Sequence, residues 1–96
     1  MNILTSNIDT SSDLFLERQK ANKDLLDSLR VKLESVIIGG PSAAREKHIS
    51  RGKLLVRDRI NLLLDPNTPF IELSPLAAYE QYDMQFPSAG IVSGRV

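Results

Sequence analysis

The sequence predicts a mainly α-helical segment of two to three helices, leading into the first short β-strands of an α/β domain that is not complete in this chain. Three observations predict it. The series 22–26–29–33–36, with Leu26, Leu29, Leu33 and Val36 as its apolar members, follows helical spacing and not alternation. Strong breakers, Gly39-Gly40-Pro41, Gly52 and Asp65-Pro66, divide the first two thirds into helix-sized pieces. Strand-like runs occur only after Pro69, and two short strands cannot make a self-sufficient sheet.

Taken in order, residues 1–10 are polar and patternless and are expected to be a disordered N-terminus. Ser11, Ser12 and Asp13 then offer side-chain oxygens to the amides that open a helix. The first helix should run over about 13–37, roughly 37 Å at 1.5 Å per residue. Phe15, Leu25 and Ile37 join its apolar positions, and Asp13 and Glu17 sit where the helix dipole favours acids. Gly39-Gly40-Pro41 should end it. Its single apolar stripe has no partner within its own length, so it must pack on something else. Ser42 is expected to cap a second helix from Ala43 to about Arg51, closed by Gly52. A third should begin near Val56, carry Ile60, Leu62, Leu63 and Leu64, and stop at Asp65-Pro66. Residues 65–69 form a turn cluster, Phe70–Leu73 reads as a short strand, and 76–84 as a helical turn or irregular segment. Residues 90–96 read as a strand just starting. The expected organisation is therefore 11–65 helical and 66–96 the opening of a further domain.

Twelve Lys and Arg balance twelve Asp and Glu, so whole-chain charge argues for neither a nucleic-acid nor a membrane partner. No apolar run is longer than four residues, and the start of the chain lacks the basic residues of a secretory or mitochondrial leader. A cytoplasmic location is the resulting expectation. The absence of cysteine excludes disulfides, thiolate metal sites and a Cys nucleophile.

The balanced charge hides one asymmetry. Arg45, Lys47, Arg51, Lys53, Arg57 and Arg59 face only Glu46 and Asp58 across residues 45–59, a local net of +4. Such a patch can bind the phosphates of a nucleotide, dock on an acidic neighbour, or simply be solvated. Single-stranded nucleic acid would require interleaved aromatics, which this stretch lacks. His48, the one histidine, has no companion for a metal site or a triad and reads as structural. Gly39-Gly40-Pro41-Ser42 lacks the Lys-Ser/Thr of a phosphate loop and the preceding strand of a dinucleotide fingerprint. Glu72 and Asp83 have no evident acid–base partner, and Tyr79 and Tyr82 are spaced for packing. No catalytic, cofactor-binding or metal-ligating residue is predicted.

The run Ser50-Arg51-Gly52-Lys53-Leu54-Leu55-Val56-Arg57-Asp58-Arg59-Ile60-Asn61-Leu62-Leu63-Leu64-Asp65-Pro66, preceded by Arg45-Glu46-Lys47-His48-Ile49, resembles a signature near the start of acyl-CoA carboxylase carboxyltransferase (β) subunits. Phe70-Ile71-Glu72-Leu73-Ser74-Pro75-Leu76-Ala77, then Tyr82-Asp83 and Ala89-Gly90-Ile91-Val92, is similar to the methylcrotonyl-CoA branch. Val56 stands where that family often has Pro or Thr, and Ser93-Gly94-Arg95-Val96 departs from its usual ending, leaving the register of the last strand open.

The resemblance implies carboxyl transfer from carboxybiotin to an acyl-CoA, most like 3-methylcrotonyl-CoA of leucine degradation, on crotonase-like folds. It places 66–96 at the start of a truncated carboxyltransferase N-domain. It also implies a biotin-carrying α subunit and other β subunits as partners, with biotin on the α subunit and none bound here. No position matches a catalytic residue of the family, so the segment alone should be structural and inactive. The competing expectation is a non-enzymatic helical module that binds a carboxylase subunit or another partner.

Overall fold

The computed structural model describes residues 2–96. Three helices, α1 Asp13–Ile38, α2 Ser42–Ser50 and α3 Val56–Leu63, precede two strands, β1 Ile71–Leu73 and β2 Ser93–Arg95. Between the strands lie two 3₁₀ turns, Tyr82–Met84 and Pro87–Gly90. The chain forms two compact units, one up to Arg30 and one from Val31 onward.

The start of α1 is set by three short polar side chains. The Ser12 hydroxyl accepts the Phe15 amide at 3.2 Å and donates to the Asp9 carbonyl at 2.9 Å. The Asp9 carboxylate accepts the Ser11 hydroxyl at 2.6 Å and the Ser11 amide at 3.0 Å. Ser12 is therefore the cap among the three candidates. Replacing it with Ala should cost about 1 kcal/mol of helix stability, visible as lost helical signal in circular dichroism; an equal loss for Ser11→Ala alone would assign the cap wrongly. The hydrogen bonds from Ser11 hold the Asp9 carboxyl below its ordinary value. Their contribution is thus present above pH 3.8 and is lost as pH falls through the lowered value.

α2 does not begin as expected. Pro41 occupies the cap position and makes no side-chain cap bond, and Ser42 is already helical. Proline's fixed φ pre-forms the entry without a donor to satisfy. The end of α2 follows the glycine rule closely. Gly52, at φ 74°, donates to the Ile49 carbonyl and Lys53 to the His48 carbonyl, at 2.9 and 3.3 Å. That pair is a Schellman motif, which needs the left-handed residue glycine supplies.

The strands pair antiparallel in the register Ile71↔Arg95, Glu72↔Gly94 and Leu73↔Ser93. A three-residue ladder is as much sheet as these runs support. The segment 76–84, expected to be helical or irregular, is irregular, winding through left-handed residues that include Ala78, Glu80 and Asp83. Val36 is the one fully buried apolar side chain among the described residues, while Leu25 and Leu26 of α1 stay exposed.

Candidate functional site

The second unit is organised around Arg57. Leu55 enters α3 in extended conformation (ψ 154°), and Val56 opens the helix, which sets Arg57 on its first turn. Its guanidinium grips Glu72 of β1 with two bonds, Nε to Oε2 at 3.1 Å and Nη2 to Oε1 at 2.6 Å. Nη2 also donates to the Ser88 hydroxyl at 3.0 Å, and Nη1 to the Val36 carbonyl at 3.1 Å. Ser88 in turn donates to the Pro75 carbonyl at 2.9 Å. One side chain thereby joins the end of α1, α3, β1 and the segment before β2.

The environment is partly dry. The Arg57 and Glu72 side chains are 20% and 17% exposed, and Ser88 is buried. A planar five-donor fork matched to a carboxylate is the arrangement that suits arginine and not lysine. With four bonds made, Arg57 has little capacity left for a ligand. Glu72, which has no evident acid–base partner in the sequence, is thus half of the central ion pair, and nothing in the sequence marks Ser88. A charge between Ile71 and Leu73 in a predicted strand was the available signal, because such a residue needs a partner when its face is covered.

The remaining bases divide cleanly. Arg45 donates Nε to the Gly40 carbonyl at 3.0 Å, tying α2 to the break after α1. His48 lies 2.9 Å from the Leu54 carbonyl through Nε2, which must carry the hydrogen because the carbonyl can only accept. It bridges the Gly52 turn, a structural role. Arg51, Lys53 and Arg59 make no ion pair among the described residues. Lys53 and Arg59, with His48, Gly52 and Leu54, border a shallow depression of about 460 Å³. The +4 patch is therefore no single surface: two arginines are spent internally and the rest face water.

A second hollow, about 240 Å³, is bordered by Ile37, Leu55, Val56, Phe86, Ile91 and Val92. Arg45 and Arg57 also reach it; Arg57 is committed as described, and Arg45 is bound through Nε alone. Tyr79 lies under the Lys32 ammonium at 5.6 Å, and Tyr82 meets Phe86 edge-on at 5.8 Å, so both tyrosines pack. Asp83 sits in the 3₁₀ turn at φ 53°. Among the described residues no group of three His, Asp or Glu side chains is placed to hold a metal ion. No helix among them is long and apolar enough to cross a membrane.

Residues 47–95 match the carboxyl transferase domain family. The chain is 48% identical over 73 residues to the biotin-dependent 3-methylcrotonyl-coenzyme A carboxylase β1 subunit of Mycobacterium tuberculosis, covering 76% of this chain and 14% of that protein. It is 46% identical over 94 residues to the probable mitochondrial methylcrotonoyl-CoA carboxylase β chain of Drosophila melanogaster, covering 97% of this chain and 16% of that one. The mitochondrial methylcrotonoyl-CoA carboxylase β chain of Arabidopsis thaliana is 41% identical over 92 residues, again covering 96% and 16%. The chain thus spans about a sixth of the length of these relatives. Arg57, Glu72 and Ser88 all fall within the matched stretch, and on that match the chain belongs to the carboxyl transferase domain family.

Proposed function

We propose that the chain is the N-terminal part of the carboxyltransferase β subunit of a biotin-dependent acyl-CoA carboxylase, acting on 3-methylcrotonyl-CoA in leucine degradation. The observation that carries it is identity of 41–48% over most of the chain to three methylcrotonyl-CoA carboxylase β chains. In the whole enzyme carboxybiotin, carried on an α subunit, would supply the carboxyl group to the acyl-CoA.

The part played by these residues is structural. Of the two guanidiniums beside the hollow at α3, that of Arg57 is already bound to Glu72, Ser88 and Val36. No step of carboxyl transfer is assigned to these residues. What they do is hold the end of α1, the two shorter helices and the strand pair in one arrangement on which a larger domain can be built. Incubation of the 96-residue chain with a biotinylated α subunit, ATP, bicarbonate and 3-methylcrotonyl-CoA should give no product above a protein-free control. Carboxylated product formed by the chain alone would overturn the structural assignment. Failure of a full-length relative carrying these 96 residues to carboxylate 3-methylcrotonyl-CoA would overturn the substrate assignment.

A further inference from the structure

The helical stretch from Asp13 to Arg30 has a charge pattern that the carboxyl transferase reading does not use. On a seven-residue frame with Phe15 at d, the seam positions are Phe15, Gln19, Asn22, Leu26 and Leu29. Leu26 and Leu29 are 51% and 40% exposed. Leu16 and Leu25 widen the seam at flanking positions, and both are exposed as well. The other flanking residues are Arg18, Lys23 and Arg30, all basic. Every acid of the stretch, Asp13, Glu17, Asp24 and Asp27, falls at b or f on the opposite face. Arg30 reaches Asp27 only at 3.7 Å, in a pair more than 70% exposed on both sides, so the rim charge is not neutralised.

An apolar seam with basic borders selects its occupant. In a parallel pairing with a second copy, g faces the e position of the next heptad, so Arg18 would meet Lys23. In an antiparallel pairing e faces e, which sets Lys23 and Arg30 against one another. Both arrangements bring like charges together. A lipid surface fits no better, since Gln19 and Asn22 lie within the seam and would be carried toward the acyl chains. Within a coiled coil the same two residues are an advantage, because polar seam positions fix register.

We propose that residues 13–30 are one half of a coiled coil whose other half is a helix with an apolar seam bordered by Asp and Glu. The test uses the 96-residue chain and two synthetic helical peptides, three heptads long, with the same Leu seam and one Asn. One peptide carries Glu at every e and g position and the other carries Lys. Fluorescence anisotropy should show the Glu peptide binding about tenfold tighter, a difference of about 1.4 kcal/mol, with the preference shrinking in high salt. The triple variant Arg18→Glu, Lys23→Glu, Arg30→Glu should prefer the Lys peptide instead. If circular dichroism shows that the triple variant loses helix, Lys23→Glu alone should narrow the preference. Equal binding of both peptides, retention of the Glu preference by the charge-reversed variants, self-association of the chain in sedimentation, or tighter binding to phosphatidylserine vesicles than to the Glu peptide would each overturn the proposal.

Discussion

Arg57→Ala is expected to lower the stability of the second unit by about 3 kcal/mol, the lower end of the cost of breaking a buried ion pair. The discount reflects the residual exposure of both partners, which lets water screen the orphaned carboxylate. The loss exceeds that of a surface pair because three acceptors, Glu72, Ser88 and the Val36 carbonyl, lose a donor together. Urea unfolding should show a midpoint about 2 M lower, or an unfolded chain at zero urea, given slopes of about 1–3 kcal/mol per molar. Arg57→Lys should fall between, since it keeps the charge and loses the two-pronged geometry. Arg59→Ala, on the outward face, should change the midpoint little. An Arg57→Ala midpoint equal to the parent's would remove the network from any account of stability.

Gly94→Ala should be nearly as damaging for a different reason. Gly94 pairs with Glu72 across the ladder, and the Phe70 ring lies against it. A methyl group there would overlap that ring and sit 2.5 Å from the Ile71 carbonyl oxygen. The ring can be moved aside but the carbonyl is part of the ladder, so the strand must shift. Overpacking of this kind costs about 1–3 kcal/mol, read in the same urea experiment. Adding Phe70→Leu should recover only part of the loss, because the backbone overlap remains. Full recovery would mean that the ring alone enforces glycine, and a neutral Gly94→Ala would mean that the pairing is looser than its register implies.

Helix positions were legible because they are written locally. The 22–26–29–33–36 series, the Gly39 and Gly52 stops and the Asp65-Pro66 break all act within a few residues of where they stand. The strands were legible as runs, although β2 spans three residues and not the full 90–96. Ser42 is helical and not the cap because a Pro-Ser pair fits two cap assignments, and proline's fixed φ decides between them. The Arg57 network was not legible. Its partners lie 15, 21 and 31 residues away, and no local pattern encodes a contact at such range. The basic patch showed that the arginines were unusual but not which of them was buried. A left-handed Ser88 is equally invisible, since serine there gives no glycine signal.

Those separations also order events in time. Helices α2 and α3 need only neighbours a turn apart and can form within microseconds. The bond to Glu72 must close 15 residues and that to Ser88 must close 31, and each doubling of a loop adds about 0.6 kcal/mol of entropy cost. Ser88 is therefore expected to join after Glu72, once β1 is already held. Contacts made that late are largely absent from the barrier to folding, so weakening them leaves the forward rate almost untouched and accelerates the reverse one. On that order Ser88, through its bond to Arg57, is expected to act on lifetime more than on folding speed, with Ser88→Ala raising the unfolding rate and leaving the folding rate nearly unchanged.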